Sequence, residues 1–343
     1  MGGVRVPPPL KLTFASLDYL DRTRALSEGT VQPDGIALEC LRLGPYQLFQ
    51  KVAQTDEFDV AEMSVSTFIA LAARGDEKYV AIPVFLSRRF RHGDIFVHGP
   101  SDISGPEDLV GRKVGVPDYE MTAALWQRAI LQHDFGVTPD QIAWFQGGEF
   151  TPGFVQRVDL HLPPNVRVEV IPEDRTLHDM VATGEIEAVL CPHIPVALSD
   201  GSGRVRRLFP DYVDVERAYY ARTKFFPIMH LTVIRRALYE QHPWVVTSLM
   251  KAFSESQALG WRRMNEFGSL AVMIPWLSHD IEEIDALMGS SFWPYGFREN
   301  YAILDAMCEY ASEQGIAARR LSPEELFVPE SQDLVLDQGA PSD

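Results

Sequence analysis

The 343-residue chain carries 46% hydrophobic and 23% charged residues, an ordinary balance that supports a sizeable core without disulfide or metal staples. Its formal net charge of −17 argues against a nucleic acid or an anionic membrane as partner, and no stretch approaches the ~18–20 apolar residues of a membrane span. Three scattered cysteines, Cys40, Cys191 and Cys308, show no CxxC spacing and read as reduced thiols packed as small hydrophobes. With no leader-like apolar segment at the start, they point to a cytoplasmic protein.

The pattern alternates strand and helix. Lys11–Ser16, Ile36–Leu43 and Glu57–Ser64 read as strands, and SVSTFIALAARG follows as a helix stopped at Gly75. The apolar run Tyr79–Leu86 suits a buried strand. A second series opens with the strand Asp94–His98, and GPEDLVGRKVGVP leads to another. A helix over Glu120–Phe135, a strand over Val166–Ile171, a short helix in TLHDMVATGE and a strand over Glu187–Cys191 come next. PIMHLTVI after Phe226 is a further strand, and from Pro243 the chain is mainly helical. No internal repeat is present.

This order predicts an α/β protein with mostly parallel strands covered on both faces. The interrupted layout predicts two lobes, one inserted into the other: residues 10–93 plus 226–330, and residues 94–225, with flexible tails at 1–9 and 331–343. The crossings at Arg89–Asp94 and Thr223–Pro227 then form a hinge, and a ligand is expected beyond the carboxyl ends of the strands.

In so acidic a chain, positive charge for an anionic ligand must be concentrated locally. SRRFRH places three arginines and His92 within six residues, directly after a buried strand; in extended chain Arg89 and Arg91 share a face opposite Arg88 and His92. Arg22 and Arg24 in DYLDRTRAL offer a second carboxylate clamp or, equally, surface charges beside a helix start. Ser64 and Ser66, and Tyr119, Met121 and Thr122, sit at strand-to-helix turns where caps and anion-binding N–H groups coincide. His230 in FPIMH, beside Phe226, and His193 in CPHIP follow crossings or strand ends; histidine exchanges a proton near neutral pH, though a lone one is more often structural. His161, His178, His193 and His230 lack metal-site spacing, so no metal is expected; a site assembled from Glu62, His92 and His230 is the one combination left open. No nucleotide, flavin or pyridoxal phosphate motif is present.

Taken in order, DRTRAL, FDVAEMSVS, IPVFLSRRFRH, DLVGRKVGVPDYEMTAALW, TLHDMVATGEIEAVL, RRLFPDY, FPIMH, HPW and FWPYG resemble the 4,5-dihydroxyphthalate decarboxylase family. The resemblance implies a two-lobed fold of the type 2 periplasmic-binding-protein kind and decarboxylation of a hydroxylated aromatic diacid; a small aromatic carboxylate is then the expected substrate, and the chemistry of such a substrate requires no organic cofactor. A homo-oligomer is compatible with this reading. Such a substrate needs a cation clamp, a base and a proton donor, and the residues expected for these are Arg22, Arg89 and Arg91 as clamps, Ser64 and Thr122 as polar anchors, and His92 and His230 as the acid–base candidates. The sequence departs from the family pattern at Phe154 and at His193, where an arginine is usual. The competing expectation is a non-catalytic solute-binding protein for an aromatic or small carboxylate.

Overall fold

The computed structural model describes residues 8–160 and 162–336, so His161 lies outside the described residues. Two sheets organise the chain. The first has the order β2-β1-β3-β11-β4, from β1 (Leu10–Ser16), β2 (Ile36–Arg42), β3 (Val60–Ser64), β4 (Tyr79–Arg88) and the late strand β11 (Ile228–Arg235). The second has the order β10-β5-β9-β6-β7-β8, from β5 (Ile95–His98), β6 (Lys113–Val116), β7 (Ala143–Gln146), β8 (Val168–Val170), β9 (Ala188–Leu190) and β10 (Val205–Arg207).

Both sheets are mixed. Strand β1 runs parallel to β2 and β3, and the β9-β6-β7-β8 run is parallel. Antiparallel pairing appears where the chain changes sheets: β11 opposes β3 and β4, and β5 opposes β9 and β10. Parallel neighbours require a crossover helix, whereas a strand that enters a sheet directly from the other one has no such constraint. That is why the strands are less uniformly parallel than the alternating pattern suggests.

Period-two alternation divides the core. On β5, Ile95 and Val97 join one apolar cluster of the second sheet and Phe96 joins the cluster on its other face. The first sheet is centred on a larger cluster that includes Phe14, Met63, Phe85 and Leu231. The Thr122–Phe135 helix is shared: Ala124 and Leu131 pack with the second sheet, while Ala123, Leu125 and Trp126 pack with the first. Its Trp126 indole N–H donates to the Ile228 carbonyl at 2.9 Å, and Arg128 donates to Gln314 at 2.8 Å. No helix of the described residues is long and apolar enough to cross a membrane. At the C-terminus the packed chain continues past residue 330: Ser331 is fully buried within the Pro329–Gln332 helix and Leu336 is buried too, so the expected tail from 331 is corrected over residues 331–336.

The Val245–Met264 helix carries the loop after β1. Ser256 Oγ donates to the Arg22 carbonyl at 2.8 Å, and a Cβ on Gly260 would lie 1.6 Å from the Asp21 carbonyl oxygen. The backbone here cannot yield as a flexible side chain would. Gly260→Ala is therefore expected to destabilise the fold by ~1–3 kcal/mol, the usual cost of overpacking, and to displace the loop bearing Tyr19 and Arg22. Urea unfolding of the two proteins checks this; an unchanged midpoint would refute the close approach.

Candidate active site

The carboxyl ends of β1 and β3 and the start of β11 meet at one mouth of the first sheet. In the β3–β11 register His230 faces Ser64 and Thr232 faces Glu62. Pairing of β11 with β4 shifts on both sides of His230, an irregularity of the kind that re-aims a side chain. The result is a hydrogen-bonded pair of a partly buried imidazole and a buried carboxylate: His230 Nδ1 lies 2.6 Å from Glu62 Oε1. Glu62 is fully buried, and it also accepts the Tyr19 hydroxyl at 2.5 Å and the Leu17 N–H at 2.9 Å. Several donors on one carboxylate offset the cost of burying its charge. Because Nδ1 is committed to Glu62, Nε2 is the edge left for chemistry, and it has no hydrogen-bond partner among the described residues. The Phe49 ring packs against the imidazole at 4.6 Å. Burial, followed by the charge of Glu62, holds the Tyr19 phenol well above its ordinary range, so it stays protonated and donates. The Arg22 guanidinium sits between the rings of Tyr19 and Trp293, at 4.3 and 4.5 Å from their centroids.

Beside His230, three hydroxyls join the sheets. Thr122 Oγ1 lies 2.8 Å from Ser64 Oγ and 3.0 Å from Ser66 Oγ, the two serines are 3.2 Å apart, and the Ser66 N–H donates to Thr122 Oγ1 at 3.1 Å. They cluster at the buried N-terminus of the Thr122–Phe135 helix, an end whose N–H groups favour an anion. A second bridge lies next to it. Thr67 donates to Glu120 at 2.7 Å, while Arg157 reaches Asp118 at 3.1 Å and Glu120 at 3.2 Å.

Relatives supply the remaining observation. A 4,5-dihydroxyphthalate decarboxylase of Comamonas testosteroni is 37% identical over 322 residues, 94% of this chain and 97% of its own length. One of Pseudomonas putida is 36% identical over 202 residues, 59% of this chain and 78% of its own length. The chain belongs to the 4,5-dihydroxyphthalate decarboxylase family. No family model matches it. Among solved structures, the periplasmic aliphatic sulphonate-binding protein of Escherichia coli superposes with a TM-score of 0.53 at 16% identity, covering 94% of this chain and 99% of that one. A putative periplasmic sulfonate-binding protein of Methylobacillus flagellatus gives 0.54 at 14%, covering 95% and 93%. These establish the periplasmic-binding-protein fold for this decarboxylase-family chain.

Several residues singled out in the sequence are brought together here: His230, Ser64, Ser66 and Thr122, with Glu62, and Arg22 close by at Tyr19. Met121, the residue before the helix, packs against both apolar cores, and Phe226 stacks on Phe90 at 4.8 Å and meets Trp293 edge-on at 5.3 Å. Others lie elsewhere. Arg24 is exposed and paired with Glu28 at 2.6 Å, so it is a surface charge. Tyr119 is fully buried between Arg128 and Trp144 and belongs to the core. His92 packs against Phe209 and Tyr219, with burial and Arg222 pulling its pKa down to about 4. It is therefore neutral at physiological pH and does not join Glu62 and His230, which removes that metal set and one half of the expected acid–base pair. Arg89 and Arg91 do share a target, but it is Asp94, at 2.8 and 2.9 Å; Arg91 is buried there and half of Arg89 stays exposed. His193 bonds to Glu149 on the second sheet. Arg157 carries no motif of its own; Glu120 was legible only inside the PDYEMTAALW run and Tyr19 only as the aromatic next to DRTRAL.

Burial raises the Glu120 carboxyl to about 7 from an ordinary 4.5, outweighing the attraction of Arg157, which is shared with Asp118. The folded state thus holds a proton that the unfolded chain releases, so stability is highest below about pH 4.5 for this group and falls as pH rises to about 7. Glu120→Gln is expected to flatten that part of the pH–stability curve. Urea midpoints across the window check it, and an identical slope in the variant would contradict the assignment.

Proposed function

We propose that this protein decarboxylates a hydroxylated phthalate, most closely 4,5-dihydroxyphthalate to 3,4-dihydroxybenzoate and carbon dioxide. Family membership supports the reaction, and the Glu62–His230 pair is the observation that carries it to named atoms. In such a substrate each carboxylate has a hydroxyl para to it. Electron density from that hydroxyl moves to the carboxyl-bearing carbon, a proton adds there, and carbon dioxide leaves as aromaticity returns. The protein must hold the ring and supply the proton.

The register supports the following division of the parts. Neighbouring strands lie ~4.8 Å apart, so the Ser64–Ser66–Thr122 hydroxyls and His230 occupy adjacent positions. The two carboxylates of a phthalate are adjacent as well. The retained one is held by the hydroxyls and the helix N-terminus, with Arg22 as its nearby cation; the departing one then has its carbon beside His230. Glu62 supports the imidazolium through Nδ1, and Nε2 delivers the proton to the ring carbon. The chain divides on this reading into lobes 10–93 plus 226–330 and 94–225, hinged at the crossings. The free thiols Cys40, Cys191 and Cys308 favour the cytoplasm.

Incubating the purified protein with 4,5-dihydroxyphthalate and measuring carbon dioxide tests the reaction; tight binding without product would favour a solute-binding role instead. His230→Asn is expected to keep the fold and substrate binding and to lower turnover ~10²-fold or more. Near-normal turnover in a folded variant would exclude His230 as the acid.

A further inference from the structure

The carboxyl ends of β7 and β9 bring three different metal-ligating side chains to one point, on the second sheet and apart from the Glu62–His230 pair. Glu149 follows β7 through Gly147 and Gly148. A Cβ on Gly148 would lie 1.8 Å from the Thr151 carbonyl oxygen, so this turn admits only glycine. The same turn docks the Leu177–Thr183 helix: the Gly148 carbonyl accepts from Leu177 N–H at 2.9 Å and the Glu149 carbonyl from His178 N–H at 3.3 Å. His178 is thereby set beside Glu149. Cys191 leaves β9 with its N–H on the Asp94 carbonyl at 3.3 Å and its side chain turned to the same point.

The donor atoms of Glu149, His178 and Cys191 lie within 4.8 Å of one another, and Cys191 Sγ is 3.5 Å from His178 Nε2. A tetrahedral zinc ion with Zn–S of about 2.3 Å and Zn–N of about 2.05 Å sets sulfur and nitrogen ~3.5 Å apart. Among the described residues Glu149 Oε1 is buried without a hydrogen-bond partner, whereas buried polar atoms are normally satisfied. The other Glu149 oxygen is held by His193 Nδ1, the outer-shell contact that orients a ligating carboxylate. The Phe150 ring covers His178 at 4.5 Å and His193 at 5.4 Å. The charges also balance: a divalent ion with one thiolate and one carboxylate is neutral, and the nearby Arg89 and Arg91 are spent on Asp94.

We propose that Cys191, His178 and Glu149 form a divalent metal site for zinc, with His193 orienting the carboxylate and a fourth position open to a small ligand. The mixed sulfur, nitrogen and oxygen set suits zinc and disfavours magnesium or calcium. The site is independent of the decarboxylation reading, since its test needs no turnover.

The experiment is cobalt titration of the chelator-treated full-length protein. Stoichiometric cobalt binding should produce a thiolate-to-cobalt charge-transfer band, which added zinc abolishes by competition. Cys191→Ser should lose the band, and Cys40→Ser should keep it. His193→Ala should keep the band and weaken zinc binding ~10–100-fold. Absence of the band in the unmodified protein, a reading that does not depend on any variant folding, would overturn the proposal. So would a band that survives Cys191→Ser.

Discussion

Strand β11 is the constraint on which the molecule depends. It returns from the second sheet and wedges antiparallel between β3 and β4. Three consecutive residues of it then tie three separate parts of the chain together. The Ile228 carbonyl receives the Trp126 indole N–H and anchors the helix shared by both sheets. Met229 turns to the other face, where its sulfur meets the Arg91 guanidinium. His230 reaches the buried carboxylate of Glu62. Alternation along a strand makes these outcomes interdependent: a slip of one residue would put Met229 on Glu62 and leave a buried charge without its partner.

The electrostatics follow from the same economy. A chain with net charge −17 has few cations to spare, and several are used inside. Arg88 is buried and donates to the Phe226 and Pro294 carbonyls; Arg91 meets Asp94; Arg128 meets Gln314 and the Tyr119 carbonyl. Each satisfies backbone or carboxylate groups that would otherwise be orphaned, so the SRRFRH run is chiefly a joint between the sheets. What lies near the Glu62–His230 pair is Arg22, held between two aromatic rings and paired with Asp21 at 2.9 Å, together with hydroxyls and helix N–H groups. That is a milder field than a cluster of free arginines, and directional in a way that such a cluster is not.

This contrast also shows what the sequence could and could not reveal. Apolar runs such as Tyr79–Leu86 marked their strands because burial on both faces demands unbroken hydrophobicity. Strand direction has no such mark, so the antiparallel entry of β5 and β11 was not legible. The short β7, with its exposed Ala143, and the Tyr212–Thr223 helix, with Tyr219 alone buried, carry too little periodic signal to stand out. At the site, His230, Ser64 and Thr122 were legible as polar residues at strand ends. The Glu62–His230 bond was not, because it spans 168 residues and depends on register. The arginines were misread for a related reason: spacing shows that Arg89 and Arg91 share a face, but not that Asp94, a few residues on, folds back to take both. Cys191 looked like a small hydrophobe because its neighbours His178 and Glu149 are distant in sequence.

The pairing of Glu62 with His230 explains why a ligand-binding fold needs few additions to perform the proposed reaction. The substrate's own ring carries the electrons, so the protein's task is to hold one carboxylate, align the carbon of the other and keep a proton beside it. Holding and aligning fall, on that reading, to the Ser64–Ser66–Thr122 hydroxyls and Arg22. The proton is the new requirement, and a solvated histidine would meet it poorly, since its ring rotates and either nitrogen can carry the hydrogen. Glu62 removes both freedoms by fixing Nδ1. That carboxylate in turn is held in place by donors from Leu17 and Tyr19. Tyr19 can serve in this way only while it remains a phenol, the state that its burial beside Glu62 enforces. The chain of dependence therefore runs outward from one nitrogen atom, through a carboxylate, to a hydroxyl whose proton the surrounding core holds in place.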